Sequence, residues 1–286
     1  MTLRDAIVLA VVQGLTEFLP ISSTAHLILV PWLFGSQDPG LTYDVVLHAG
    51  TLLAVLTYFA RTWWSLLSAG LRPAMDILWS RPIPDPPAAS TETQRNVGLL
   101  KVLVVATVPA ALAGYFLESY AETVFRSPVL IAGMLAGVGV LMWVADRRPT
   151  LTRTDERLSF KDAIVIGTAQ ALAIIPGTSR SGITIAAGLY RDLTRDSAAR
   201  FSFLLAAPII AGATLKEGVD LWRLGLPPGL SAMDFAVGFV VSAIVGYAAI
   251  AFLLRYLRVR TLSVFVVYRL VLAAVIVLVE LLGSAA

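Results

Sequence analysis

The chain has 286 residues, 57% of them hydrophobic and 14% charged, with a mean hydropathy of +0.80. That balance excludes an ordinary soluble domain and points to a protein that crosses a membrane several times. There is no cysteine, which excludes disulfides, thiolate metal sites and cysteine nucleophiles; the net charge of +3 sits in loops without interleaved aromatics and offers no grip on nucleic acid.

Taken in order, the chain opens with one basic residue, Arg4, and an apolar run at 6–12 that is too short to span. No small-residue cleavage site follows, so this segment is expected to belong to the mature fold. Gln13, Glu17 and Pro20 interrupt the run before a second short apolar segment at 27–34, and the pair reads as a re-entrant helical hairpin over 6–34. Spans are predicted at 45–60, 97–117 and 128–145, with an interfacial helix around 63–79 and a proline-rich surface loop at 81–90. Gly133, Gly137 and Gly139 are expected to permit close helix packing, and Trp63, Trp64, Trp79 and Trp222 to anchor span ends at the interface.

After a charged linker at 149–160 the opening text returns. Arg4-Asp-Ala-Ile-Val, Gln13, Pro20 and Ser23 are echoed by Lys161-Asp-Ala-Ile-Val, Gln170, Pro176 and Ser179, with one single-residue gap. The second copy supplies half-helices at 163–175 and 183–189, a hairpin over 162–190, and spans at 201–215, 235–254 and 262–282. The expected architecture is therefore an all-α integral membrane protein forming one membrane domain. Residues 1–148 and 161–286 are its two repeats, each a re-entrant hairpin plus three transmembrane helices. An odd number of crossings per repeat makes the second copy enter from the opposite face, which is inverted topology. The count of basic residues agrees: Arg61, Arg72, Arg81, Arg95, Arg147, Arg148, Arg153, Arg157, Lys161, Arg191, Arg195, Arg200, Arg255, Arg258 and Arg260 fall on one side, against Arg4, Arg126, Lys216 and Arg223 on the other. By the positive-inside rule the first group is cytoplasmic, so both termini lie outside.

Two polar clusters interrupt this apolar text. The first is Glu17-Phe-Leu-Pro-Ile-Ser-Ser-Thr-Ala-His26, and the second is Pro176-Gly-Thr-Ser-Arg-Ser-Gly-Ile-Thr184. An ionisable group at bilayer depth costs roughly 2.5–3.5 kcal/mol on insertion scales, so its presence there is a functional hypothesis by default. In the second cluster Gly177 and Gly182 allow close backbone approach to a ligand, and Thr178 or Ser179 can cap the following helix. A helix N-terminus beside the permanently charged Arg180 suits phosphate. Helical spacing puts Gln13 with Glu17, Ser23 with His26, and Arg180 with Thr184 on shared faces. Such a set can perform phosphoryl transfer, with Arg180 neutralising charge, Ser23 or His26 attacking and the other group moving protons. Ser22, Thr24, Thr178 and Ser181 read equally well as caps, and His48 reads as structural.

Gln13 with Glu17, Pro-Ile-Ser-Ser-Thr-Ala-His at 20–26 and Pro-Gly-Thr-Ser-Arg-Ser-Gly-x-Thr at 176–184 together resemble the bacterial undecaprenyl-pyrophosphate phosphatases of the bacitracin-resistance type. The resemblance covers nearly the whole chain. It implies a multi-pass protein of the bacterial plasma (inner) membrane that converts undecaprenyl pyrophosphate to undecaprenyl phosphate, recycles the lipid carrier for cell-wall synthesis, and opens its site to the outer face. It also implies roles for Glu17, Ser23, His26, Ser179, Arg180 and Thr184, and a divalent cation, Mg²⁺ or Ca²⁺, near Glu17. Some relatives have Glu where this chain has Gln13, so that cation would rest on Glu17 and substrate oxygens, with Gln13 a weak ligand. The resulting expectation makes Ser23 the nucleophile and His26 its base, with Arg180, Ser179, Thr184 and Gly177 binding phosphate. Direct attack by His26 or by water is the mechanistic alternative. The competing reading from architecture is a secondary transporter or lipid flippase with an anion site at the midplane. Oligomeric state is not encoded in any feature found, and a homodimer is one open assembly.

Overall fold

The computed structural model of the chain describes residues 1–34, 40–78, 91–122, 125, 127–148, 150–155, 158–225 and 229–283. The proline-rich loop at 81–90, with Arg81, lies outside them, as do Trp79, Arg126 and Arg157. Eleven α-helices and no strand are found among the described residues. They are α1 (Leu3–Phe18), α2 (Ser23–Phe34), α3 (Leu41–Tyr58), α4 (Ala60–Leu78), α5 (Thr91–Glu122), α6 (Pro128–Asp146), α7 (Phe160–Ala171), α8 (Arg180–Tyr190), α9 (Arg195–Leu224), α10 (Ala232–Leu257) and α11 (Ser263–Gly283).

Five of these helices are long and apolar enough to cross a membrane, over Glu92–Leu117, Pro128–Asp146, Arg195–Arg223, Ala232–Leu257 and Ser263–Leu282. A sixth candidate is the pair α3 and α4, which bends by 78° between Tyr58 and Ala60. The expected span at 45–60 and the expected interfacial helix after it are thus two helices meeting at a sharp turn. Large apolar side chains face outward along the long helices, with Leu215 71% and Ile244 66% exposed, which is stable only if lipid replaces water. The chain is an all-α integral membrane protein.

Where the two hairpins are expected, the chain breaks between short helices, α1 from α2 and α7 from α8. α1 begins at a Thr2 N-cap whose hydroxyl accepts from the Asp5 N–H while the Asp5 carboxylate accepts from the Thr2 N–H; α7 repeats this capping box with Ser159 and Asp162. α2 follows Ser22, and α8 follows Ser179, and both serines have positive φ, +80° and +67°. Thr2 to Ser159 and Ser22 to Ser179 are equal steps along the chain. The two copies therefore register without the gap expected from the prolines, and this places Arg180 opposite Ser23 and Ile174 opposite Glu17.

Packing depends on small residues, though not those expected. A Cβ on Gly14 would lie 2.9 Å from the Gly246 backbone nitrogen, and one on Gly50 would collide with Ser242 and the Phe239 carbonyl, so α1 and α3 both press against α10 through glycine. Gly133 and Gly137 instead face open space, and Gly139 lies at ordinary contact distance from Arg269, which corrects the expectation that this stripe packs helices tightly. α9 is the most enclosed span, packed on α3, α5, α8 and α10. Its Phe203 meets Phe18 edge to face at 5.2 Å, tying the centre of the core to the end of α1.

The charged linker is folded against the second hairpin. Arg153 forms a single parallel bridge with Leu193 and donates to both oxygens of Asp162, at 3.2 and 2.8 Å. Arg191 reaches Asp162 at 2.7 Å, and Thr150 and Arg148 reach Asp192 at 2.6 and 3.3 Å. Burial pushes the Asp162 carboxyl up, but hydrogen bonds from Arg153, the Ser159 backbone and Arg191 outweigh it and hold the group well below the usual carboxylate range.

Candidate active site

The hairpin turns meet. The Gly177 N–H donates to Ser22 Oγ at 3.2 Å, and Ser181 Oγ donates to the Leu19 carbonyl at 3.2 Å. Arg269, fully buried in α11, donates to the carbonyls of Pro20, Gly177 and Thr178, and to Met134 and Leu135 of α6. These bonds satisfy turn carbonyls that would otherwise be stranded in an apolar interior. Arg269 thus clamps both turns to one another.

Above that clamp lies the buried carboxylate of Glu17. Its Oε1 accepts from Arg180 Nη2 at 2.6 Å. Its Oε2 accepts from Ser23 Oγ at 2.6 Å and from Gln13 Nε2 at 3.1 Å, and lies 3.4 Å from His48 Nε2. Glu17 and Arg180 are 4% and 12% exposed, and a pair this buried is tolerable only because further donors complete the carboxylate. Sequence alone assigned Glu17, Ser23, Gln13 and Arg180 to one site, and the structure brings all four together.

His26 takes a different place from the one expected. Its Nδ1 lies 2.6 Å from the Ser22 carbonyl, which can only accept, so Nδ1 carries the proton and Nε2 accepts from the Tyr268 hydroxyl at 2.6 Å. The ring stacks on Tyr268 and folds back over the first turn of α2. Sharing a helical face with Ser23 did not bring the two side chains together, because the carbonyl four residues back competed for the ring. The hydroxyl of Ser23 goes to Glu17 instead.

The expected phosphate group also divides. Ser179 Oγ caps α8 by accepting the Gly182 N–H at 3.1 Å, and Ser179 lines the cavity described below. Thr184 turns away: its Oγ1 donates to the Arg180 carbonyl at 2.7 Å and pairs with Ser202 Oγ at 2.7 Å, fixing α8 to α9. The Gly177 N–H is committed to Ser22, and a Cβ there would lie 2.5 Å from the Ile131 carbonyl, so this glycine serves backbone packing rather than ligand approach.

A cavity of about 340 Å³ opens beside Glu17, Ser23 and His48 of the first half and Gln170, Ser179 and Arg180 of the second. Ala110 and Gly114 of α5 and Ile209, Ile210 and Ala213 of α9 give it an apolar wall. His48, read from sequence as structural, donates from Nδ1 to the Asp44 carbonyl at 2.7 Å and turns Nε2 to Glu17. No local pattern marks it, because its partner is in another helix. Arg269 and Tyr268 were also missed, yet an arginine inside the apolar run at 262–282 carries the signal that flags intramembrane charge.

A largely apolar cavity inside an integral-membrane helical protein, holding an arginine, a helix N-terminus and a serine hydrogen-bonded to a carboxylate, has the groups that suit a phosphorylated amphiphile. The family model described as bacitracin resistance protein BacA matches residues 6–275. Proteins named undecaprenyl-diphosphatase are similar throughout: that of Desulforudis audaxviator is 45% identical over 97% of this chain and 98% of the relative. That of Pelotomaculum thermopropionicum is 46% identical over 97% of each, and that of Elusimicrobium minutum is 42% identical over 99% of this chain and 100% of the relative. The chain belongs to the bacitracin resistance family.

Proposed function

We propose that this protein is an undecaprenyl-diphosphatase, hydrolysing undecaprenyl pyrophosphate to undecaprenyl phosphate and inorganic phosphate and so returning the lipid carrier to cell-wall synthesis. The observation that carries the mechanism is the bond from Ser23 Oγ to Glu17 Oε2 at 2.6 Å, in a cavity that Arg180 also lines. Ser23 Oγ attacks the terminal phosphorus as Glu17 takes its proton. The bond between that phosphorus and the bridging oxygen breaks, undecaprenyl phosphate leaves, and water then releases phosphate from the phosphoserine. Arg180 swings from Glu17 Oε1 to the phosphate oxygens and stabilises their charge. His26 holds the turn that presents Ser23. Direct attack by water, with Glu17 as base, uses the same groups, and trapping phosphate on Ser23 separates the two routes.

A divalent cation belongs to this proposal as a companion of the diphosphate. Among the described residues no three His, Asp or Glu side chains cluster as a metal site, and both Glu17 oxygens already carry donors. The orphaned acceptors among the described residues include the buried Gln13 Oε1, on the residue that bonds Glu17, and Gln170 Oε1 on the wall of the same cavity. These groups fit a cation that would be held chiefly by substrate oxygens and water with Glu17 at its edge, and Gln13, which bonds Glu17 from outside the cavity lining, would be a weak ligand; the cation would neutralise phosphate charge. The remaining elements of the reading are a bacterial plasma membrane location, inverted repeats with both termini outside, and a site open to the outer face, supported by the basic residues of the expected cytoplasmic loops. A homodimer is one assembly that this reading admits.

Purified protein in detergent should release phosphate from undecaprenyl pyrophosphate, and Glu17→Gln and Ser23→Ala should each lose activity by roughly 10²-fold or more. Detergent abolishes transport, and a pure anion carrier gives no reason for a serine bonded to a carboxylate. Absence of phosphate release with and without added Mg²⁺ or Ca²⁺ would sink the reading.

A further inference from the structure

One wall of the cavity holds a group that the mechanism above leaves idle. Gln170, next to last in α7, is 2% exposed, and neither its Nε2 nor its Oε1 has a hydrogen-bond partner among the described residues. It lines the same cavity as Glu17, Ser23, Ser179 and Arg180. Arg180 Nη1 is likewise buried without a partner, while its Nη2 is held by Glu17. Buried polar groups are nearly always paired, so two orphaned donors in one cavity call for a ligand rich in acceptors.

The repeat shows why Gln170 is free. Its counterpart Gln13 bonds the Glu17 carboxylate four residues on, but the residue four beyond Gln170 is Ile174. The second copy has the amide without the carboxylate. Gln13 Oε1 is an orphan too, but Gln13 does not line the cavity and this atom can only accept. Gln170 adds a neutral donor to the cavity wall from α7, which packs against α5.

We propose that Gln170 is a substrate-binding residue, its side-chain N–H donating to a non-bridging oxygen of the diphosphate while Arg180 Nη1 holds another. The second hairpin grips the group, and the first supplies the attacking serine. This assignment rests on the phosphatase reading. It predicts recognition of the diphosphate itself, so inorganic pyrophosphate should compete for the same contact whatever the prenyl chain.

The test uses the full chain in detergent with Gln170→Leu, close in size but apolar, and Gln170→Glu, which brings a charge that repels diphosphate. Gln170→Leu should raise KM for undecaprenyl pyrophosphate and the inhibition constant of inorganic pyrophosphate by about tenfold, with kcat changed less than KM. Its ligand-free melting temperature should rise, because an unpaired amide has been removed from the interior. Gln170→Glu should raise both constants further. Unchanged KM and inhibition constants in both variants, beside an active wild type, overturn the assignment. An inactive wild type would instead count against the phosphatase reading.

Discussion

The chemistry at residue scale turns on Arg180 having two possible anions. In the free protein its Nη2 is bonded to Glu17 Oε1, and in the reaction that same group is needed by phosphate. Glu17 keeps Gln13, Ser23 and His48 when Arg180 leaves, so the exchange does not strand a bare buried carboxylate. Arg180→Ala should therefore fold but lose kcat/KM by roughly 10²–10³. Arg180→Lys should recover only part of the loss, since a point charge cannot bind an anion with two parallel N–H groups. Steady-state phosphate release measures both, and wild-type kcat/KM in Arg180→Ala would remove the residue from the mechanism. Arg180, Glu17 and Ser23 were legible in the sequence because a charge or hydroxyl in apolar text is conspicuous. The partners of His26 and His48 were not, since i,i+3 spacing predicts a shared face but cannot weigh a neighbouring carbonyl or a tyrosine more than two hundred residues away.

At the scale of the element, the hairpins are set by turns that sequence composition suggested and backbone geometry sharpens. Helix existence followed from apolar runs, and the spans at 128–145 and 262–282 are close to α6 and α11. The register of the repeat was less legible, because Pro20 and Pro176 look equivalent while the helix starts show that Ser22 and Ser179 are. Both serines hold a left-handed backbone that favours glycine, a conformation costing roughly 1–2 kcal/mol for an L-residue. Such strain at a ligand-facing turn is retained when the side chain does something glycine cannot. Here Ser22 Oγ accepts the Gly177 N–H and so joins the two turns. Ser22→Gly loses that bond but relaxes the backbone, whereas Ser22→Ala loses the bond and keeps the strain. Thermal unfolding should rank wild type above Gly and Gly above Ala, with Ala about 1 kcal/mol below Gly. An Ala variant as stable as the Gly variant would show that the turn is not strained.

For the molecule as a whole, the charged linker has a structural duty beyond topology. Sequence marked residues 149–160 as charged and hence cytoplasmic, but a run of arginines does not announce which acids it will meet. In the fold, Arg153 and Arg191 converge on Asp162, whose side chain is fully buried, and so join the linker and the α8–α9 corner to the first turn of α7. Asp192 is held below its ordinary range as well, by the Thr150 hydroxyl and Arg148. Both carboxylates have folded-state values below the unfolded value of about 3.9, so their contribution to stability is complete above that pH. It is lost as pH falls toward their depressed folded values. Melting temperature in detergent should accordingly be flat in this contribution from neutral pH to about 5 and drop below about 4. Asp162→Asn removes the buried charge that Arg153 and Arg191 share and replaces one of its two accepting oxygens with a donor NH2, and should cost about 3 kcal/mol at neutral pH. The same variant should show a shallower acid limb, because the group that must be protonated is gone. If wild type and Asp162→Asn fell in parallel below pH 4, the linker contact would be bystander to acid unfolding, and the second hairpin would have to be held by its contacts to the first hairpin and to α9.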